Sequence, residues 1–153
     1  MAARNGWASW YTRYARVASR VQAMRGAIID GLNVIIRTVT GDHGLSPADI
    51  LEITLVGNTA MHHLFLGIDP RALGVSPFAP AVHRNLDIKA RDRGLEAHPA
   101  ANVHVLPVEA GFVGADNVGV LIAEEPYHKE EMVLIIDVGT NGEMVMGNKA
   151  RLI

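Results

Sequence analysis

Met132-Val133-Leu134-Ile135-Ile136-Asp137-Val138-Gly139-Thr140-Asn141-Gly142-Glu143, followed by Met144-Val145-Met146-Gly147, is the stretch on which the fold turns. An apolar run of strand length delivers one carboxylate, then a Gly/Thr/Asn/Gly turn, then a second strand. Glycine lets a backbone turn tightly and bring its N–H groups close to an anion. Thr140 adds a hydroxyl donor, and Asp137 can hold a hydrated Mg²⁺ beside a phosphate. The competing reading is an ordinary hairpin turn, for which Asn141-Gly142 is the strongest short signal. That reading leaves Asp137 unexplained, because an unpaired carboxylate at the end of a buried strand is costly.

Working upstream, Gly114 to Ala123 reads as a helix that Glu124-Glu125-Pro126 ends, and Val103-His104-Val105-Leu106 as a short strand stopped by Pro107. Residues 68–101 hold Pro70, Pro77, Pro80 and Pro99 without a clean period, which predicts an ordered excursion rather than a linker. Ile53-Thr54-Leu55-Val56 is a short buried strand running into Gly57-Asn58-Thr59, and a helix from about Thr59 to Leu66 follows, closed by Gly67. Asn58 or Thr59 is a natural N-cap there, and the same helix start attracts phosphate. Ser46-Pro47-Ala48-Asp49 is a capping-box start with a short helix expected after it.

The first segment reads as a helix of about thirty residues ending at Thr40 with Gly41 as its stop, its apolar stripe being Val17, Val21, Met24, Ile28, Leu32, Ile35 and Val39. Arg4, Arg13, Arg16, Arg20 and Arg25 with no acidic residue before Asp30 imitate a transit peptide, but the stripe continues past any cleavage point, which favours a solvated helix face. Downstream, Arg151-Leu152-Ile153 looks like the start of a third strand. The order predicts α/β architecture, with the first two strands parallel. A lone hairpin is marginal in water, so the one at 132–147 must either join the first sheet or pair with further chain. The second is favoured.

A chain of 153 residues with 49% apolar content can build a core. Its net charge of -2 gives no reason to expect nucleic acid, and no apolar run reaches membrane-spanning length, so a soluble, cytoplasmic protein is expected. The absence of cysteine excludes disulfides and cysteine-held clusters within these residues. His62 and His63 are adjacent and therefore on different faces of a helix, which suits core or surface packing better than a metal site. His43, His83, His98, His104 and His128 form no constellation, and Gly111-Phe112-Val113-Gly114-Ala115 lacks dinucleotide spacing. Asp116 reads as a first-turn residue polarising its helix, with a contact across a hinge as the weaker functional alternative.

Val56-Gly57-Asn58-Thr59-Ala60-Met61-His62-His63-Leu64-Phe65-Leu66-Gly67-Ile68-Asp69-Pro70 resembles a signature of the ATP-dependent reductive activators of corrinoid proteins, in the actin/sugar-kinase/Hsp70 (ASKHA) superfamily. Ser76-Pro77-Phe78-Ala79-Pro80, then Leu106-Pro107 with Gly111-Phe112-Val113-Gly114-Ala115-Asp116, then Asp137-Val138-Gly139-Thr140-Asn141-Gly142-Glu143 agree in the same order, over about residues 14 to 153. The resemblance implies a ribonuclease-H-like, actin-like ATPase fold: residues 1–127 as the back half of a first lobe, with the excursion at 68–101, and residues 128–153 as the opening strands of a second. It implies ATP and Mg as cofactors, a [2Fe–2S] cluster in a separate N-terminal domain, and ATP-coupled reduction of a cobalt(II) corrinoid. Asp137, Gly139, Thr140, Asn141 and Gly142 match the family's second phosphate motif. Gly57, Asn58 and Thr59 match a loop expected to face the same cleft, and no catalytic residue is assigned.

The family's first phosphate motif, its adenosine-binding segment and its cluster cysteines have no counterpart in these residues, so the chain looks like an internal piece that should hydrolyse ATP poorly alone. The implied partner is a corrinoid protein or corrinoid-dependent methyltransferase, with a second copy of the chain as a further candidate. Two other readings stay open: a non-catalytic fragment that docks a corrinoid protein, and a generic small-molecule kinase of the same superfamily.

Overall fold

The long first helix sets the layer on which the rest is built. The computed structural model describes residues 6–138 and 142–153, with side chains from residue 15 onward. Helix α1 (Gly6–Asp42) has 37 residues, a rod of roughly 55 Å at 1.5 Å per residue. It passes through the expected stop at Gly41. The reversal instead uses Gly44, at φ +68°, where Leu45 N–H reaches back to Thr40 O. That left-handed geometry is the one glycine adopts without a Cβ penalty.

The buried line of α1 also differs from the expected stripe. Val21, Ile29, Asn33 and Thr40 are buried, whereas Met24, Ile35 and Val39 are more than half exposed. Counting only apolar residues missed the two polar positions that face inward. Asn33 donates to Gly94 O and accepts from Glu96 N–H, pinning the 94–96 turn to the helix. Thr40 hydroxyl donates to Ile36 O within the helix itself.

Ser46 and Asp49 form the expected capping box, but it starts only a single 3₁₀ turn, Pro47–Asp49. The chain is drawn into extended pairing at once, since Ile50 O and Leu51 O accept from His98 N–H and Asn102 N–H. Strand β1 (Glu52–Leu55) leads to α2 (Thr59–Leu66), capped by Asn58 and closed by Gly67 as the sequence predicts. The proline-rich excursion is ordered and contributes a 3₁₀ turn (Pro70–Gly74), strand β2 (Leu86–Lys89) and the one-turn helix α3 (Ala90–Arg93). Strand β2 is an addition to the sequence reading. Strand β3 (Asn102–Val105) and α4 (Ala115–Glu124) follow.

The first sheet has the order β1-β3-β2: β1 and β3 are parallel, with Ile53 opposite Val103, and β2 is antiparallel to β3. One face of it makes the core. Phe65 and Leu66 from α2, Ala90, Leu95 and Ala101 from the excursion, and Val103 and Val105 from β3 pack with Ile29 of α1. Period-two alternation sends Thr54 and His104 to the opposite face.

Strand β4 (Val133–Val138) does not join that sheet. It pairs with β5 (Gly142–Asn148), which pairs with β6 (Arg151–Leu152), in a separate three-stranded antiparallel sheet. The molecule is thus mixed α/β with two small sheets, and no helix among the described residues is long and apolar enough to cross a membrane.

Candidate functional site

Alternation along β4 decides where its carboxylate goes. Val133, Ile135 and Asp137 share one half-buried face, while Leu134, Ile136 and Val138 point to the exposed one. The ladder runs to Val138 opposite Gly142, with Asp137 opposite Glu143. A two-residue Asn141-Gly142 turn would have put Thr140 opposite Glu143 instead, so the ordinary hairpin reading does not describe this register. Gly142 is the first residue of β5, and Gly139, Thr140 and Asn141 lie outside the described residues.

Two carboxylates directly across an antiparallel pair repel each other. Among the described residues neither Asp137 nor Glu143 has a cation beside it, since the ion pairs there use other acids. Asp137 opens onto a cavity of about 800 Å³. Its walls are Val56 beyond β1, Leu106 and Pro107 beyond β3, and Gly119, Val120 and Ala123 of α4; Thr54, His104, Asn85 and Asp116 supply its few polar groups. A large apolar hollow with a small number of convergent polar groups is the usual form of a ligand site.

Asp116 is held in the first turn of α4, its Oδ1 accepting from Asn117 N–H at 3.0 Å. It therefore has the helix-polarising place read from the sequence and also shares a cavity with Asp137, a juxtaposition only the tertiary structure reveals. Sequence reasoning also missed His104. Its Nδ1 is 2.6 Å from Asp87 Oδ1 across the β2–β3 ladder, a pair that depends on the unforeseen strand.

The Gly57-Asn58-Thr59 loop is built tightly into the fold. Asn58 Oδ1 accepts from Met61 N–H, Thr59 hydroxyl donates to Ala110 O, and Gly57 O accepts from Ala115 N–H. A Cβ on Gly114 would come within 2.5 Å of Asn58 Cα, so this glycine is what lets the start of α4 lie on the loop. Asn58 and Thr59 line a different hollow, of about 370 Å³, with Gly111 and Phe112. The structure thus brings Asp137 together with Asp116 rather than with Asn58 and Thr59.

His62 and His63 are both buried at 1% exposure, in accord with the packing reading. His63 Nδ1 faces Thr59 O at 2.8 Å, and its Nε2 accepts from Ala81 N–H at 2.9 Å. Neither nitrogen of His62 has a partner among the described residues. Burial is the main cause that lowers both imidazoles below their ordinary value, and each histidine also feels another nearby, His63 for His62 and His83 for His63. Among the described residues no three acids or histidines gather as a metal cluster. The Asp137–Glu143 pair does suit a hydrated Mg²⁺, which is held by one or two carboxylates together with phosphate oxygens and water.

A family model described as the RACo middle region matches residues 12–129. The chain belongs to that family. The chain is 37% identical, over 122 residues, to the corrinoid activation enzyme RamQ of Eubacterium limosum, covering 80% of this chain and 20% of that protein. Among solved structures, a reductive activator for corrinoid,iron-sulfur protein superposes with a TM-score of 0.82 at 34% identity, over 87% of this chain and 21% of that one. The chain therefore spans about a fifth of the length of these relatives.

Proposed function

We propose that this chain forms part of the nucleotide-binding region of a reductive activator, which couples ATP binding and hydrolysis to reduction of a cobalt(II) corrinoid in a partner corrinoid protein. One observation carries the reading. Asp137 and Glu143 stand opposite each other with no cation beside them among the described residues, and Asp137 lines an 800 Å³ cavity together with Asp116. Mg²⁺ with the nucleotide phosphates would supply the missing positive charge. In this reading residues 1–127 belong to one ribonuclease-H-like lobe and residues 128–153 open a second. Nucleotide closes the lobes only to the extent that it binds the closed state more tightly. The iron–sulfur centre of such an activator would be held by residues other than these, which contain no cysteine.

The test uses a polypeptide that carries this sequence within an activator of the relatives' length. Asp137→Asn should weaken Mg-ATP binding in calorimetry at least tenfold, about 1.4 kcal/mol. Asp69→Asn, which removes an exposed partner of Arg71, should leave it unchanged. Equal nucleotide affinity for wild type and Asp137→Asn overturns the role given to the carboxylate. Acceptor-dependent phosphotransfer would instead assign the site to a small-molecule kinase. The non-catalytic docking reading draws its support from Val75 and Phe78, which the excursion leaves exposed. Retention of a corrinoid protein by this chain without nucleotide would favour it.

A further inference from the structure

The segment from Val75 to Asn85 runs along the surface between the 3₁₀ turn at Pro70–Gly74 and strand β2, and most of its residues are exposed. Apart from the Val75 N–H bond back to Ala72 O in the adjoining turn, two hydrogen bonds among the described residues tie it to the rest of the molecule. Val108 N–H donates to His83 O at 3.0 Å, and Ala81 N–H donates to His63 Nε2 at 2.9 Å. The second is unusual in what it demands of the imidazole. A ring nitrogen that accepts from a backbone N–H must carry a lone pair, and a neutral imidazole has one N–H in all. That N–H is therefore on Nδ1, where the Thr59 carbonyl, which can only accept, receives it at 2.8 Å. Both nitrogens are committed, and the ring is fixed in one tautomer.

Protonation has no place in this arrangement. A proton on Nε2 would point at the Ala81 N–H, and the bond would be replaced by donor facing donor. The ring is 1% exposed, so water cannot take over. The titratable groups that bear on it are His62 of α2, with ring centroids 5.4 Å apart, and His83 of the segment itself. Both are cationic when protonated, and no carboxylate among the described residues offsets them.

We propose that His63 is an acid-released latch: it holds the 75–85 segment on α2 only while neutral, and protonation frees Ala81 and leaves His83–Val108 as the remaining tie. The consequence extends past the latch. The segment ends at Asn85 on the 800 Å³ cavity, and its Phe78 ring lies 5.3 Å from Phe112, which lines the second hollow. Release therefore loosens the approach to Asn85 on the first hollow and takes Phe78 from beside Phe112 of the second, while the first sheet stays formed.

Amide hydrogen exchange of the chain between pH 7.5 and 5, corrected for the intrinsic pH dependence, reads the latch directly. The Ala81 amide should lose protection by about tenfold, the effect of giving up one hydrogen bond and leaving its donor to open freely. Val103 in the core strand should keep its protection over the same range. In His63→Gln, whose side-chain oxygen accepts without titrating, Ala81 should be insensitive to pH, and in His62→Leu the sensitivity should persist. Loss of protection at Ala81 and Val103 together would reduce the effect to acid unfolding and overturn the proposal. So would an Ala81 amide that stays protected at pH 5. If His63→Gln fails to fold, the comparison of Ala81 with Val103 in the wild-type chain decides alone.

Discussion

Replacing Gly114 by Ala adds one methyl group at the point where α4 meets the loop after β1, and its cost follows from three distances. The new Cβ would lie 2.5 Å from Asn58 Cα, 2.8 Å from Gly57 O and 2.6 Å from Asp116 Oδ1. The carboxylate can rotate away, but the two backbone atoms cannot. Ordinary carbon contacts need about 3.5–4.0 Å, so the loop and the helix start must separate by about 1 Å. Overpacking of this kind costs about 1–3 kcal/mol. The same movement stretches the Ala115 N–H bond to Gly57 O, 3.0 Å in the native structure, worth about 1 kcal/mol. Reduced freedom of the unfolded chain returns about 0.5 kcal/mol. The expected loss is about 2–3 kcal/mol, a fall in Tm of about 4–12 °C for a domain of this size.

The internal control is Gly31→Ala, the same chemical change in the interior of α1, where no heavy atom of the described residues other than the adjoining helix backbone and chain neighbours lies within 4 Å of the new Cβ. Helix propensity there favours alanine by about 0.8–1.0 kcal/mol, so Tm should rise by a few degrees. Thermal unfolding followed by circular dichroism measures both. A Gly114→Ala chain that melts within 1 °C of wild type, or two variants that shift in the same direction, would refute the close-approach argument.

Asn58→Ala removes the side-chain acceptor for Met61 N–H and should cost about 1 kcal/mol in denaturant unfolding, while Asn58→Ser, another good cap, should lose less than half of that. The pH dependence of stability has a definite sign. His62 and His63 are both held below the ordinary imidazole value of 6.5, so the folded state binds fewer protons than the unfolded one once pH falls beneath it. Stability should be level above pH 6.5 and fall as pH drops toward the lowered values, by up to about 1.4 kcal/mol per pH unit for each histidine. Urea titrations at successive pH values check this, and a midpoint unchanged from pH 7 to pH 5 would contradict it.

Much of this was legible where one residue carries a strong local signal. Asn58 and Gly67 fix both ends of α2 because capping chemistry is local. The run at 132–136 was legible as a strand but not in its burial: it reads as buried, whereas Leu134, Ile136 and Val138 are more than half exposed. The failures share a cause, which is that tertiary partners decide them. Leu86-Asp87-Ile88-Lys89 becomes a strand because β3 offers it a free edge, and nothing in four residues announces that. Asn33 turns inward on α1 because a carbonyl and an amide of the 94–96 turn complete it, and Thr40 because its hydroxyl is satisfied by Ile36 O of its own helix, whereas Ile35 and Val39 stay exposed despite their apolarity. Asp116 and Asp137 are twenty-one positions apart in sequence and meet only because α4 and β4 converge on one cavity.

The pleat of β4 also limits how this region can vary. Swapping one apolar side chain for another on Val133 or Ile135 changes packing by increments, but inserting or deleting a single residue between Val133 and Asp137 would turn the acid to the outer side, beside Leu134 and Ile136. Length, more than composition, is then the inherited quantity in this ribbon. Natural variants should tolerate many substitutions here and almost no indels.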